Sequence, residues 1–290
     1  MSTKNRGDRI QLLHKVVTKH FTPVDAPKDR TVLEQLIYAC CLEDADYEAA
    51  EDAFLRLQES FIDWNEVRVT TITELSESLT SLPDPSAAAV RIKKNLQSMF
   101  ESRYSFDLDD MIKMNQGKAV QELEKYSAMS KFVLGYVVQN ALGGHSIPVS
   151  KGILDILLAT EIISETEAAK WQVPGLERSV PKTKGVAFAS CLHQFALLVA
   201  DSPGSKQAKA ILKEAGAPEK KPAATKKKAA KKAPEKKAAS PKKTEPAAKA
   251  KKAPAAKKAA PKKAPAKKAP AKKAAKKAPA ATKKTKRKPK

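Results

Sequence analysis

The residue types with the plainest chemistry lie at the end of the chain. From Ala217 to Lys290 there are 30 lysines and arginines against three acids, Glu219, Glu235 and Glu245, a net of +27. Lys226-Lys227-Lys228, Lys257-Lys258 and Lys267-Lys268 are typical of its runs. Side chains of this kind neutralise phosphates and release the counterions condensed on a polyanion. Lysine reads charge rather than base edges, so such binding carries little sequence preference. The 290-residue chain totals +23, which leaves residues 1–216 at −4. The chain therefore divides into an acidic body, 1–216, and a basic tail, 217–290. Double-stranded DNA is the expected partner of the tail, and a protein partner suits the acidic body.

The remaining reactive types are sparse. Cys40 and Cys41 are adjacent in an apolar stretch, and Cys191 stands alone. They are expected to be small buried thiols in a reducing compartment. His145 and His193 are too isolated in sequence to form a metal site, so no metal is expected, and each reads as a surface or hydrogen-bonded histidine. Trp64 and Trp171 are expected at the edge of the core. Glu43, Asp44 and Asp46 form an acidic turn, read as a solvated helix end that would repel phosphates.

The elements that must position these groups are helical. Apolar residues recur at helical spacing over 8–21, 33–40, 47–60 and 86–102. Thr31 and Ser164-Glu165-Thr166-Glu167 are helix-start signals, the latter expected to open a helix running through Trp171. Val67 to Thr73 alternates like a strand, but one short strand builds no sheet, so it reads as a loop entering a helix near Thr73. Pro181 is expected to start a last long helix. The predicted class is all-α, with roughly ten helices in the body. The tail has no Leu, Ile, Val, Met or aromatic residue. It can form no core, and it is expected to be disordered in solution. The N-terminus lacks a signal-peptide core, and no run of about 18 apolar residues predicts a membrane span. A cytosolic location on the nucleoid, or a nuclear one in a eukaryote, is the expectation.

The most informative stretch is Leu123 to Ile153, LEKYSAMSKFVLGYVVQNALGGHSIPVSKGI. A polar helix is expected to end near Tyr126. The small turn Ser127-Ala128-Met129-Ser130 follows, and then an apolar helix from Lys131 to Leu142. Gly143-Gly144 would stop that helix, and Ser150 can cap the next one. This layout resembles the helix-hairpin-helix of the DNA glycosylases of the endonuclease III type, over about residues 25–200. That family writes its hairpin roughly L-P-G-V-G, followed by Arg and a catalytic Lys. Eighteen residues on, a catalytic Asp opens the next helix. The correspondence runs without a gap, with Leu123-Glu124 in the first helix, Gly143 at the stop and Val149 and Ile153 flanking the aspartate position.

The resemblance implies a helix-hairpin-helix glycosylase-like body whose hairpin N–H groups at Ser127, Ala128, Met129, Ser130 and Lys131 approach DNA phosphates. It also implies that the chemistry is altered. The family's lysine attacks the sugar carbon as an unprotonated amine, and the aspartate assists the departing base. Phe132 and Ser150 hold those positions. Lys131 is one residue early, turned about 100° around the helix. Serine can cap as aspartate does but supplies no negative charge. The four cysteines that often bind an iron–sulfur cluster are absent after Cys191, so no such cofactor is expected. Glu43, Asp44 and Asp46 lie about where active members insert a polar side chain into the duplex. The tail resembles linker-histone tails in composition. Three functions follow as expectations. They are a DNA-binding protein without lysine/aspartate catalysis, an active base-excision repair enzyme with unconventional residues, and a structural nucleoid protein.

Overall fold

The computed structural model describes residues 3–218; the tail lysines from Lys226 to Lys268 lie outside the described residues. Thirteen α-helices make up the described chain: α1 (Thr3–His20), α2 (Val32–Leu42), α3 (Tyr47–Ser60), α4 (Trp64–Val69), α5 (Ile72–Ser78), α6 (Pro85–Arg103), α7 (Gln116–Leu123), α8 (Lys131–Asn140), α9 (Lys151–Ala159), α10 (Glu165–Ala169), α11 (Leu176–Ser179), α12 (Lys182–Asp201) and α13 (Lys206–Glu214). A 3₁₀ turn spans Asp109–Lys113, and no strand occurs among the described residues.

The helices gather around two apolar cores. The first, from α2 to α8, centres on Leu36, Ile37, Phe54, Leu57, Ile92, Leu96 and Val137. The second joins α1 to α9–α13 through Leu13, Val17, Ile153, Leu157, Phe188 and Phe195. Each such side chain contributes roughly 1.5–3 kcal/mol when fully buried. The chain thus leaves the second core after α1, builds the first core, and returns through the segment between α8 and α9. Helix α12 is long and apolar enough by length and composition to span a membrane. Here it is a core helix, with Phe188, Cys191, Leu192 and Phe195 buried against α1 and α9.

Caps explain why so many short helices form. Side chains of Thr31, Asp46, Asp63, Thr71, Asp84, Asn115, Ser130, Ser150, Ser164 and Ser205 each accept a backbone N–H in the first turn. A cap of this kind is worth about 1 kcal/mol. Two of them bear on the reading of Val67 to Thr73. Asp63 starts α4, so Val67 to Val69 is helix rather than loop, while Thr71 starts α5 where a helix is expected; Val67 and Leu75 are buried. The Ser164 capping box forms as expected. Its helix stops at Ala169, because Trp171 turns left-handed with φ +53 and stays 40% exposed. Pro181 flanks α12 as its N-cap rather than opening it.

Candidate nucleic-acid interface

The hairpin forms between α7 and α8, with Ser127 and Lys131 exposed and Ala128, Met129 and Ser130 half-buried. Its turn is held by α6. The Ser127 N–H donates to Ser98 Oγ at 3.1 Å, and the two hydroxyls lie 2.9 Å apart. Asn95 Nδ2 donates to the Ala128 carbonyl at 3.3 Å. Ser130 then accepts from the Val133 N–H at 3.0 Å and caps α8. Among the described residues, no partner engages the N–H groups of Ala128, Ser130, Lys131 and Phe132. A helix N-terminus with unengaged N–H groups is an anion-binding arrangement. Lys131 does not add a free cation, since its ammonium pairs with Glu124 at 3.0 Å.

The geometry beyond the hairpin follows from two glycines. Gly143 has φ +61 and ends α8 as the sequence predicts. Gly135 lets the chain return across α8, since a Cβ there would lie 2.9 Å from Pro148 Cα. This close crossing delivers Ser150 to the start of α9. Ser150 is 3% exposed and accepts from the Ile153 N–H at 3.4 Å. It caps its helix as expected, and its hydroxyl faces little solvent.

Phe132 points inward. It is 1% exposed, stacks on Tyr136 with centroids 6.3 Å apart, and meets His193 at 5.2 Å. Beside it is a narrow recess with Val24, Tyr47, Phe132, Tyr136, Gln139 and His193 among its walls. No lysine, aspartate or glutamate lines it. His193 is 2% exposed rather than a surface residue. Its Nε2 bonds the Ala45 carbonyl at 2.8 Å, while Nδ1 is buried without a partner. Burial holds its pKa below 6.5 against the opposing pull of Ala45, Asp44 and Asp46. His145 is held by the Glu177 and Val180 carbonyls, both at 2.8 Å. The cysteines are free and buried, and burial pushes the Cys40 thiol up to about 12. Among the described residues no group of three or more His, Cys, Asp or Glu could hold a metal.

The acidic turn departs from the reading of a solvated helix end. Asp46 caps α3 and Asp44 is exposed, but Glu43 is only 8% exposed. Arg91 on α6 clamps the turn, reaching Asp44 at 2.9 Å, Glu43 at 3.4 Å and the Cys40 carbonyl at 3.1 Å. Burial raises the Glu43 pKa against the pull of Arg91. The turn is thus tied to α6. Asn95, Ser98 and Arg91 carry much of this geometry and are absent from the sequence-based candidates. Asn95 had a signal, since it falls on the buried face of α6 with Ile92 and Met99.

No family model and no curated protein sequence matches the chain. Solved structures do. An endonuclease III in a non-covalent DNA complex superposes with TM-score 0.50 at 17% identity, covering 67% of this chain and 86% of that one. A thermostable thymine-DNA glycosylase gives TM-score 0.46 at 15% identity, covering 68% of this chain and 88% of the other. The 8-oxoguanine glycosylase/lyase of Clostridium acetobutylicum, in complex with DNA, gives 0.44 at 11%, covering 70% and 71%. At these identities the likeness concerns the fold and says nothing of activity. The described chain shares its fold with that endonuclease III.

Proposed function

We propose that this is a DNA-binding protein that uses a glycosylase-like body without lysine/aspartate catalysis and is held on DNA, in the nucleoid or chromatin, by its basic tail. The observation that carries this reading is the recess beside Phe132, which no amine or carboxylate lines. A lyase needs an unprotonated amine there to form the Schiff base. A hydrolytic glycosylase needs a carboxylate beside the developing sugar cation. The unengaged N–H groups of the hairpin support backbone contact with a phosphate, which positions without reading sequence.

The tail and the body divide the affinity. If the tail engages about ten phosphates, log K against log salt falls with a slope near −9. Salt titration of duplex binding is expected to show that slope for the full chain and to lose most of it when residues 217–290 are removed. The residual binding of the body should favour bent, nicked or abasic duplex. On the same truncated protein, borohydride trapping with abasic DNA is expected to yield no covalent adduct. A strong adduct, or base release from damaged duplex, returns the protein to the enzymes.

A further inference from the structure

The charge of the body is not uniform. Residues 43–110 hold 16 acids and six cations, a net of −10. The cations there are largely consumed internally. Arg56 pairs with Asp52, Arg91 with Asp44, and Arg103 with Asp110, while Lys93 donates to the Arg68 and Thr70 carbonyls. Within this segment, where the end of α3 turns into α4, lies a surface groove of about 410 Å³. Phe61, Ile62 and Trp64 give it an apolar and aromatic wall, and Glu34 and Asp63 give it an acidic rim. Ile62 is 94% exposed, so nothing in the body covers it. Glu59, exposed on the last turn of α3, adds to the rim's charge.

An aromatic groove with acids at its edge fits one chemistry well, an extended polyproline-type segment carrying cations. Proline rings suit the aromatic wall, and lysines between them suit the acidic rim. This sequence contains a stretch of that composition. Residues 251–280 place Pro254, Pro261, Pro265, Pro270 and Pro279 between lysine pairs. The tail holds 30 cations, more than a contact of about ten phosphates uses.

We propose that this groove docks the lysine- and proline-bearing repeats, residues 251–280, of a second copy of the chain, so that copies assembled on DNA are linked body to tail. The tails then have two classes of anionic partner, phosphates and this groove. The test uses the full chain as an equal mixture of ¹⁵N-labelled and unlabelled protein, coupled by a zero-length carbodiimide with and without duplex and read by mass spectrometry. Mixed-isotope links from lysines of 251–280 to Glu34, Glu59 or Asp63 are expected. They should exceed links to exposed Glu161 and Glu165 by at least about fivefold, the effect of one modest contact. Ile62→Lys adds a like charge at a side chain that packs on nothing. It should cut those links by a similar factor while leaving duplex affinity unchanged, which separates this proposal from DNA binding itself. Links spread evenly over exposed acids, links confined to single-isotope pairs, no links to these repeats at all, or indifference to Ile62→Lys would each overturn it.

Discussion

At the hairpin, polar side chains reach backbone atoms. Asn95 and Ser98 hold the turn, and Ser130 caps α8. A few residues inward, the recess is closed by rings, with Phe132 between Tyr136 and His193 and Tyr47 against His193. The two regions share α8 yet are held by different physics. Hydrogen bonds to backbone fix where a turn lies and tolerate exchange of the side chains around it. Ring packing fills volume and leaves no room for a charged group without a partner. A fold can therefore keep the backbone placement of a turn while the buried positions beside it are given to packing.

If packing is the present role of Phe132, truncating it must be costly. Phe132→Ala removes a side chain that is 1% exposed from a stack of aromatic rings. A loss of about 3–5 kcal/mol is expected from transfer and cavity terms together. Denaturant unfolding of the full chain reads it, and Phe132→Leu should recover much of the loss. A cost under about 1 kcal/mol would mean that the recess is open and solvated, and the contrast with the hairpin would fall.

A smaller effect is expected at the hairpin's anchor. Asn95 is fully buried and its Nδ2 serves both the Ala128 carbonyl and Cys40 Sγ at 3.5 Å. Asn95→Ala leaves that carbonyl without its donor, at a cost of about 1–3 kcal/mol. Because the damage is to the turn, hydrogen exchange should quicken at the bonded N–H groups of Ser127, Met129 and Val133 before it quickens in α9. Uniform loss of protection would show that the turn is not separately held.

These anchors mark where the sequence was legible and where it was not. The two helices flanking the hairpin, the stop at Gly143 and the cap at Ser150 are local signals, written in residues a few positions apart, and the cap at Ser130 is a signal of the same kind that went unread. Helix α4 was missed because β-branched residues from Val67 to Ile72 imitate a strand, and the cap at Asp63 outweighs that preference, whereas α5 starts near Thr73 as expected. The burial of Glu43 and the clamp by Arg91 were not legible, since they join residues 48 apart in the chain. The positions of Phe132 and Ser150 could be read from spacing, whereas the absence of a nearby amine or carboxylate is a property of the packed recess.

The two serine caps allow a finer comparison between hairpin and recess. Ser130 bonds the Val133 N–H at 3.0 Å, whereas Ser150 bonds the Ile153 N–H at 3.4 Å. Ser150→Ala is expected to cost about 1 kcal/mol. Ser130→Ala should cost more, because the shorter contact is the stronger hydrogen bond. Urea midpoints of the two variants measure the order. Equal costs would mean that the difference in length carries no energy.

The smallest effect concerns pH and the ring stack. His193 sits between Phe132 and Tyr47 with Nε2 bonded to the Ala45 carbonyl, so Nδ1 is the nitrogen without a proton. Protonating it would place a positive charge among rings in a buried site. Burial lowers its pKa from the ordinary 6.5, and Asp44 and Asp46 in the acidic turn offset only part of that. A group depressed in the folded state contributes stability above its unfolded pKa and loses it as pH falls through that value. Stability is therefore expected to decline as pH drops below about 6.5. His14, also lowered by burial and by Lys184, acts in the same direction, while Glu43, raised by burial, acts in the opposite one. The difference between the wild-type chain and His193→Gln cancels both of those contributions. Glutamine can keep a donor toward Ala45 and does not titrate. The wild-type chain should lose stability relative to His193→Gln between pH 7 and pH 5, measured as urea midpoints at matched ionic strength. Parallel curves would place the titration elsewhere and would mean that the recess admits enough water to solvate the imidazolium.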